Sequence, residues 1–172
     1  MEGLLILLTI LLSALFSGSE IAFVTANRLK LEIETRRNSL TARSLGYFVR
    51  KPEAYLTTTL IGNNIVNVAY ATLMTFFLVE PIRYVFIEWF GLVPSELTIL
   101  VLQTIIASLI IMTFGEILPK AIFRIHADRL VTILAIPQRT CSLLFKPFIV
   151  VANFASNALI HMLQPDSEPS EQ

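Results

Sequence analysis

Charges and cysteines are scarce in this chain, and each scarcity excludes a class of protein. Only 15% of the 172 residues are charged, whereas roughly 25% are charged in soluble domains. Cys141 is the single cysteine, so neither a disulfide framework nor a thiolate metal cluster can form within the chain. The nucleophile-elbow, zinc-protease and P-loop motifs are also missing from the sequence. We therefore expect a protein that is not an enzyme.

Long apolar runs are what the chain has instead. Hydrophobic residues make up 55% of it, above the roughly 45–50% typical of soluble proteins. Runs over 4–24, 54–79 and 97–123 each exceed the ~20 residues that a helix needs to cross a ~30 Å hydrocarbon core. Glu2 is the only charge before the first run, which argues against a signal peptide. The sequence predicts an all-α membrane protein with three transmembrane helices.

Lysine and arginine are distributed unevenly among the connecting segments. Seven lie between the first two apolar runs, only Arg83 lies between the second and third, and five lie at or after the end of the third. Cytoplasmic loops carry the excess of basic residues. The pattern predicts an external N-terminus and a cytoplasmic C-terminus in a multi-pass protein of the cell membrane.

The segments outside the three runs predict juxtamembrane amphipathic helices. Residues 25–51 have the composition of a polar-to-basic helix at the membrane interface. Pro137 and Pro147 are expected to cut 128–163 into three pieces. The last piece, 148–163, is short for a span, although a fourth span over 147–163 remains an alternative. Residues 164–172 predict a disordered linker after a membrane domain at 1–163.

The end of the third run carries the most informative motif, Gly-Glu-Ile-Leu-Pro-Lys at 115–120. A carboxylate such as Glu116 is costly inside an apolar span, and is by default a functional-site candidate. Pro119 has no N–H, so a helix through it leaves the carbonyl of Gly115 without its usual donor. A carboxylate beside a free carbonyl suits a hard cation. An ion pair between Glu116 and Lys120 is the structural alternative.

Polar residues in the other two runs could meet Glu116 at one depth, slightly to the cytoplasmic side of the midplane. Ser17 and Ser19 flank a glycine, and the amides of Asn63 and Asn67 share one helix face because they are four residues apart. A ligand set made only of oxygen atoms disfavours zinc and copper and suits magnesium, calcium or sodium. The alternative is that these groups only join helices by hydrogen bonds.

Three motifs in order, Phe-Ser-Gly-Ser-Glu at 16–20, Gly-Asn at 62–63 and the motif at 115–120, resemble the transmembrane module of the CorC/cyclin M magnesium transporters. The resemblance implies a homodimer in the lipid bilayer that exports Mg²⁺, with Na⁺ as the coupling ion in bacterial members. It implies that the ion is held by oxygen atoms from Ser17 or Ser19, Asn63, Asn67, Gly115 and Glu116.

The resemblance also bears on partners and regulation. A cytoplasmic pair of CBS domains normally follows the transmembrane module in that family, and we expect these 172 residues to be the module without it. No nucleic-acid partner is expected. A second function stays open, namely a non-transporting membrane scaffold or Mg²⁺ sensor whose juxtamembrane helices bind a partner.

Overall fold

The computed structural model describes residues 1–148 and residue 150, and every regular element within that range is helical. The predictions for 151–163, including most of a fourth span, and for the linker at 164–172 lie outside the described residues. The helices are α1 Glu2–Thr25, α2 Arg28–Thr35, α3 Leu40–Arg50, α4 Pro52–Phe90, α5 Glu96–Ile110, a π-helical segment Ile111–Ile117, α6 Leu118–Ile125 and α7 Ala127–Leu144.

The three predicted membrane spans are confirmed as helices. They are α1, α4 and the continuous rod Glu96–Ile125 formed by α5, the π-helical segment and α6. The second helix is longer than its apolar run, since it has 39 residues and continues through Pro81 to Phe90. Gly91 ends it with a left-handed φ of 62°, a conformation that glycine adopts without steric cost.

The predicted juxtamembrane helices are present as α2, α3 and α7. Asn27 and Ser39 begin the first two, and each accepts a hydrogen bond from a main-chain N–H three residues later, which satisfies a donor that the helix leaves free. The three helices pack with the end of α1 around one apolar cluster: Ala22, Leu31, Leu45, Ala127, Val131 and Ala135. These helices therefore form a compact layer at one end of the spans.

The expectation that Pro137 interrupts the chain is wrong, because α7 runs through it. Val131 and Ala135 are buried before the proline, and Gln138 and Ser142 are buried after it. A proline inside a helix costs about 3 kcal/mol, and packing of one face on both sides of Pro137 offsets that cost. The helix ends at Leu144, three residues before Pro147, so the second proline does mark a boundary.

Glycines allow close packing of the spans around α1. A Cβ added at Gly62 on α4 would lie 2.5 Å from Cε1 of Phe16, and one added at Gly18 would lie 2.6 Å from Cγ of Phe123 on α6. Small residues at such contacts let helix backbones approach closely in a membrane. The first span is thereby held between the second and the third.

One ion pair ties α2 to α7 and predicts a pH-dependent part of the stability. The Asp128 carboxylate accepts the main-chain N–H of Asn27 at 2.7 Å and the Lys30 ammonium at 2.9 Å. These contacts, the bond from Asn27 first, lower the pKa of Asp128 below its usual value of 3.8. A carboxyl group whose pKa is lower in the folded state stabilises the fold fully at pH values above its unfolded-state pKa. This stabilisation is lost as the pH falls through the folded-state pKa.

Asp128→Asn should therefore lower the free energy of unfolding at pH 7 by about 1 kcal/mol or less, because the pair is exposed to solvent. Thermal unfolding in detergent at pH 7 and at pH 3 measures this. We expect the gap between the wild type and the variant to shrink at pH 3. An equal gap at both pH values would contradict a charge-based role.

Candidate ion-binding site

The hydroxyl of Ser13 lies at the centre of the contact between the first two spans. Its Oγ lies 3.1 Å from Oδ1 of Asn63 and 2.8 Å from Oδ1 of Asn67. Ser13 is fully buried. A serine hydroxyl has one hydrogen and can donate it to one acceptor at a time. Three oxygen atoms therefore share a single proton in a buried place.

Glu116 brings the third span to the same place. Nδ2 of Asn67 lies 3.4 Å from Oε1 of Glu116, a contact longer than the usual 2.7–3.2 Å and correspondingly weak. The carboxylate accepts from the amide nitrogen, and this orients the Asn67 side chain so that its oxygen faces Ser13. The contact thus leaves the Glu116 carboxylate with most of its accepting capacity unused.

The π-helical segment shapes the backbone beside Glu116. Its last bond runs from the N–H of Leu118 to the carbonyl of Thr113, five residues back instead of the four of an α-helix. Pro119 follows and has no N–H to donate. Gly115 is buried here, and a Cβ on it would lie 2.9 Å from the Ser13 hydroxyl oxygen. A main chain without Cβ therefore lies directly against the shared hydroxyl.

We call Ser13, Asn63, Asn67, Gly115 and Glu116 the oxygen cluster. It contains one carboxylate and otherwise neutral groups. In the described part of the chain, no ion pair within 4.0 Å joins Glu116 to Lys120, and no three His, Cys, Asp or Glu side chains come together as metal ligands do. Any cation held here would be bound mainly by amide, hydroxyl and main-chain oxygens.

The structure brings four of the six candidate residues together, and the two serines form no hydrogen bond with them. Ser17 is buried, and within the described residues its hydroxyl has no hydrogen-bond partner. It lies one turn from Ser13 on the same face of α1. Ser19 donates to the carbonyl of Phe16 at 2.9 Å and accepts from Nε2 of Gln138 at 2.8 Å. Ser19 therefore joins α1 to α7.

Sequence reasoning missed Ser13 and Gln138. Ser13 interrupts the apolar run four residues before Ser17, and this spacing on one helix face is a signal that could have identified it. Gln138 begins the polar stretch Gln-Arg-Thr after Pro137, so its composition gives no sign that it is buried.

A comparison with family models finds one match that covers nearly the whole chain. Residues 4–172 match the model described as the cyclin M transmembrane N-terminal domain. Together with three helices long and apolar enough to cross a bilayer, this match identifies a multi-pass membrane protein. The match covers all of the oxygen cluster.

Three relatives share this region at low identity. The chain is 25% identical over 152 residues to the UPF0053 inner membrane protein YfjD of Escherichia coli, covering 88% of the chain and 32% of that protein. It is 21% identical over 160 residues to a UPF0053 protein of Haemophilus influenzae, covering 93% and 35%. An uncharacterised Mycobacterium tuberculosis protein is 28% identical over 167 residues, covering 96% and 48%. The chain thus spans less than half the length of each of these relatives.

Proposed function

Since the chain belongs to the cyclin M transmembrane domain family, we propose that it is a magnesium transport module and that Mg²⁺ crosses the membrane through the oxygen cluster. The observation that carries the proposal is the hydroxyl of Ser13, shared between the oxygens of Asn63 and Asn67. One of these oxygens always lacks a proton to accept. A hard cation satisfies several such oxygens at once.

The charge of the cluster fits an ion that must leave again. Glu116 is the single carboxylate of the cluster, so its one negative charge would neutralise only half of the charge of a divalent cation. Mg²⁺ usually keeps several waters and takes one or two carboxylates from a protein. Conduction needs binding that is favourable enough to admit the ion and weak enough to release it. The neutral Asn and Ser oxygens supply ligands without adding the charge that would trap the ion.

We further propose that the protein is a homodimer and that it exports Mg²⁺ in exchange for Na⁺. The direction of transport, the coupling ion and the dimer are supported by the motifs at 16–20, 62–63 and 115–120, which resemble those of the cyclin M magnesium transporters. The apolar faces that the spans leave exposed also leave room for a second copy beside the lipid.

Flux measurements in proteoliposomes test this function. The purified chain is reconstituted with a fluorescent Mg²⁺ indicator inside, and an Mg²⁺ gradient is imposed with and without an opposing Na⁺ gradient. We expect saturable Mg²⁺ flux that increases when Na⁺ moves in the opposite direction. Flux indifferent to Na⁺ would contradict the exchange, and no flux above empty vesicles would favour the non-transporting scaffold.

A pair of serine variants tests the position of the site on α1. Ser13→Ala removes the shared oxygen and should weaken Mg²⁺ binding about tenfold, or about 1.4 kcal/mol. Ser19→Ala breaks the contact with Gln138 and should lower the melting temperature without changing the Mg²⁺ dependence. Melting curves in detergent over a series of MgCl₂ concentrations measure both effects. The reverse result, with Ser19→Ala weakening binding and Ser13→Ala leaving it intact, would move the site toward α7.

A further inference from the structure

A second polar space lies between α4 and α5, on the side of the oxygen cluster that faces the loop at 91–95. It is a cavity of about 120 Å³, well above the ~10–15 Å³ that one water molecule needs. The loop side is the one that the distribution of Lys and Arg predicts to be external. Six polar side chains line this cavity: Asn67, Tyr70, Thr75, Gln103, Thr104 and Ser108.

Three of the hydroxyls that line the cavity have already donated their hydrogens. The hydroxyls of Tyr70, Thr75 and Thr104 donate their hydrogens to main-chain carbonyls at 3.0, 2.9 and 2.7 Å. Each hydroxyl has only one hydrogen, so its oxygen can then act only as a hydrogen-bond acceptor. These three oxygen atoms can accept hydrogen bonds from the water shell of a cation.

Gln103 is the residue that points to a ligand. Only 8% of it is exposed, and its Oε1 has no hydrogen-bond partner among the described residues. Leaving a buried polar atom unpaired costs about 1–3 kcal/mol, so a water molecule of a hydrated ion that reached this oxygen would be stabilised by it. Gln103 lies among the residues that line the cavity.

The cavity and the oxygen cluster share a wall. Asn67 lines the cavity and also contacts Ser13 and Glu116. Ile111, the first residue of the π-helical segment, lines the same cavity, and its Cδ1 lies 2.7 Å from the position of a Cβ on Gly115. An ion that leaves the cluster toward α5 therefore passes one amide and one flexible aliphatic side chain to reach the cavity.

We propose that this cavity is the release chamber of the transport path, in which hydrated Mg²⁺ is received from the oxygen cluster and is held through water by Gln103. The proposal rests on the proposed transport of Mg²⁺. No residue that lines the cavity is an acid, so the chamber binds the hydrated ion less tightly than the cluster does. A path that ends in a weaker site favours departure of the ion.

A variant at Gln103 separates release from binding. Gln103→Leu keeps the approximate side-chain length and removes the unpaired oxygen. We expect Mg²⁺ flux in proteoliposomes to fall at least fivefold, while the shift of the melting temperature with MgCl₂ stays like that of the wild type. Gln103→Asn, which keeps an amide, should recover part of the flux. Equal flux in Gln103→Leu and the wild type would overturn the role of Gln103.

Access of water to the chamber can be measured without transport. Cys141→Ser gives a cysteine-free background, because Cys141 is the only cysteine. In this background, Thr104→Cys places a thiol on the cavity and Ile105→Cys places one on the neighbouring exposed apolar surface. A membrane-impermeant methanethiosulfonate reagent added to proteoliposomes should label position 104 faster than 105, and MgCl₂ should slow that labelling. Equal rates at the two positions would overturn the chamber.

The two levels of the proposal fail in different ways. If the wild type neither binds nor transports Mg²⁺, the proposed function fails, and the chamber fails with it. If the wild type transports Mg²⁺ while Gln103→Leu is unimpaired and position 104 is not labelled preferentially, only the chamber fails, and the ion leaves the oxygen cluster by another route.

Discussion

Glu116→Gln is expected to abolish the response of the protein to Mg²⁺. The change keeps the size of the side chain and its contact with Asn67 but removes the only charge of the oxygen cluster. At a concentration of 100 times the dissociation constant, a ligand stabilises a protein by about 2.7 kcal/mol, and the variant should lose nearly all of this. Melting curves with and without MgCl₂, together with flux in proteoliposomes, measure the loss.

Glu88→Gln provides the matched control. Glu88 lies near the far end of α4 and is exposed, so the same chemical change should leave both the Mg²⁺-dependent shift and the flux close to those of the wild type. The melting temperature of Glu116→Gln without Mg²⁺ shows whether the fold has survived. Full transport by a folded Glu116→Gln protein would remove the carboxylate from the mechanism.

Gly62→Ala should destabilise the packing of α1 on α4 and impair the ion site with it. The added Cβ would meet three atoms of the Phe16 ring at 2.5–2.7 Å, and this ring is buried. Overpacking costs about 1–3 kcal/mol, whereas the gain in helix propensity from glycine to alanine is at most about 1 kcal/mol. We expect a lower melting temperature and weaker Mg²⁺ binding, because separating the helices pulls Asn63 away from Ser13.

Gly3→Ala is the matched control, since Gly3 also lies in a helix but nothing lies within 4 Å of a Cβ there. This variant should be neutral or slightly stabilised. Combining Gly62→Ala with Phe16→Leu, which makes room for the new methyl group, should recover part of the stability. If Gly62→Ala melted like Gly3→Ala, close contact at Gly62 would not be what holds α1 against α4.

The number and approximate position of the spans could be predicted because a bilayer requires about 20 apolar residues for each helix. The same argument could not give the full length of α4, since residues after Val79 are polar enough to read as a loop. It also failed at Pro137, because local propensity carries no information on the packing of Val131 and Ala135 against other helices.

The candidate site was predicted unevenly for a similar reason. A carboxylate or three amides within an apolar run are conspicuous, and this identified Glu116, Asn63 and Asn67 as candidates. Serines are common in membrane helices, so composition could not distinguish Ser13 from Ser17 or Ser19. The depth of each serine along α1 separates Ser13 from Ser17, and its angular position separates Ser13 from Ser19, which contacts Gln138 on α7; both depend on how the helices are placed against each other.

The length of α4 bears on how the protein tolerates its surroundings. Its 39 residues correspond to about 58 Å at 1.5 Å per residue, nearly twice the ~30 Å of a hydrocarbon core. The helix begins at Pro52 and continues to Phe90, eleven residues past the apolar run that ends near Val79. On that side a thicker bilayer would meet peptide groups that are already hydrogen-bonded, but it would also have to cover the charged side chains of Glu80 and Arg83, and burying a charge in the hydrocarbon core costs free energy. We expect transport activity to fall when the lipid acyl chains are long enough to cover these two side chains.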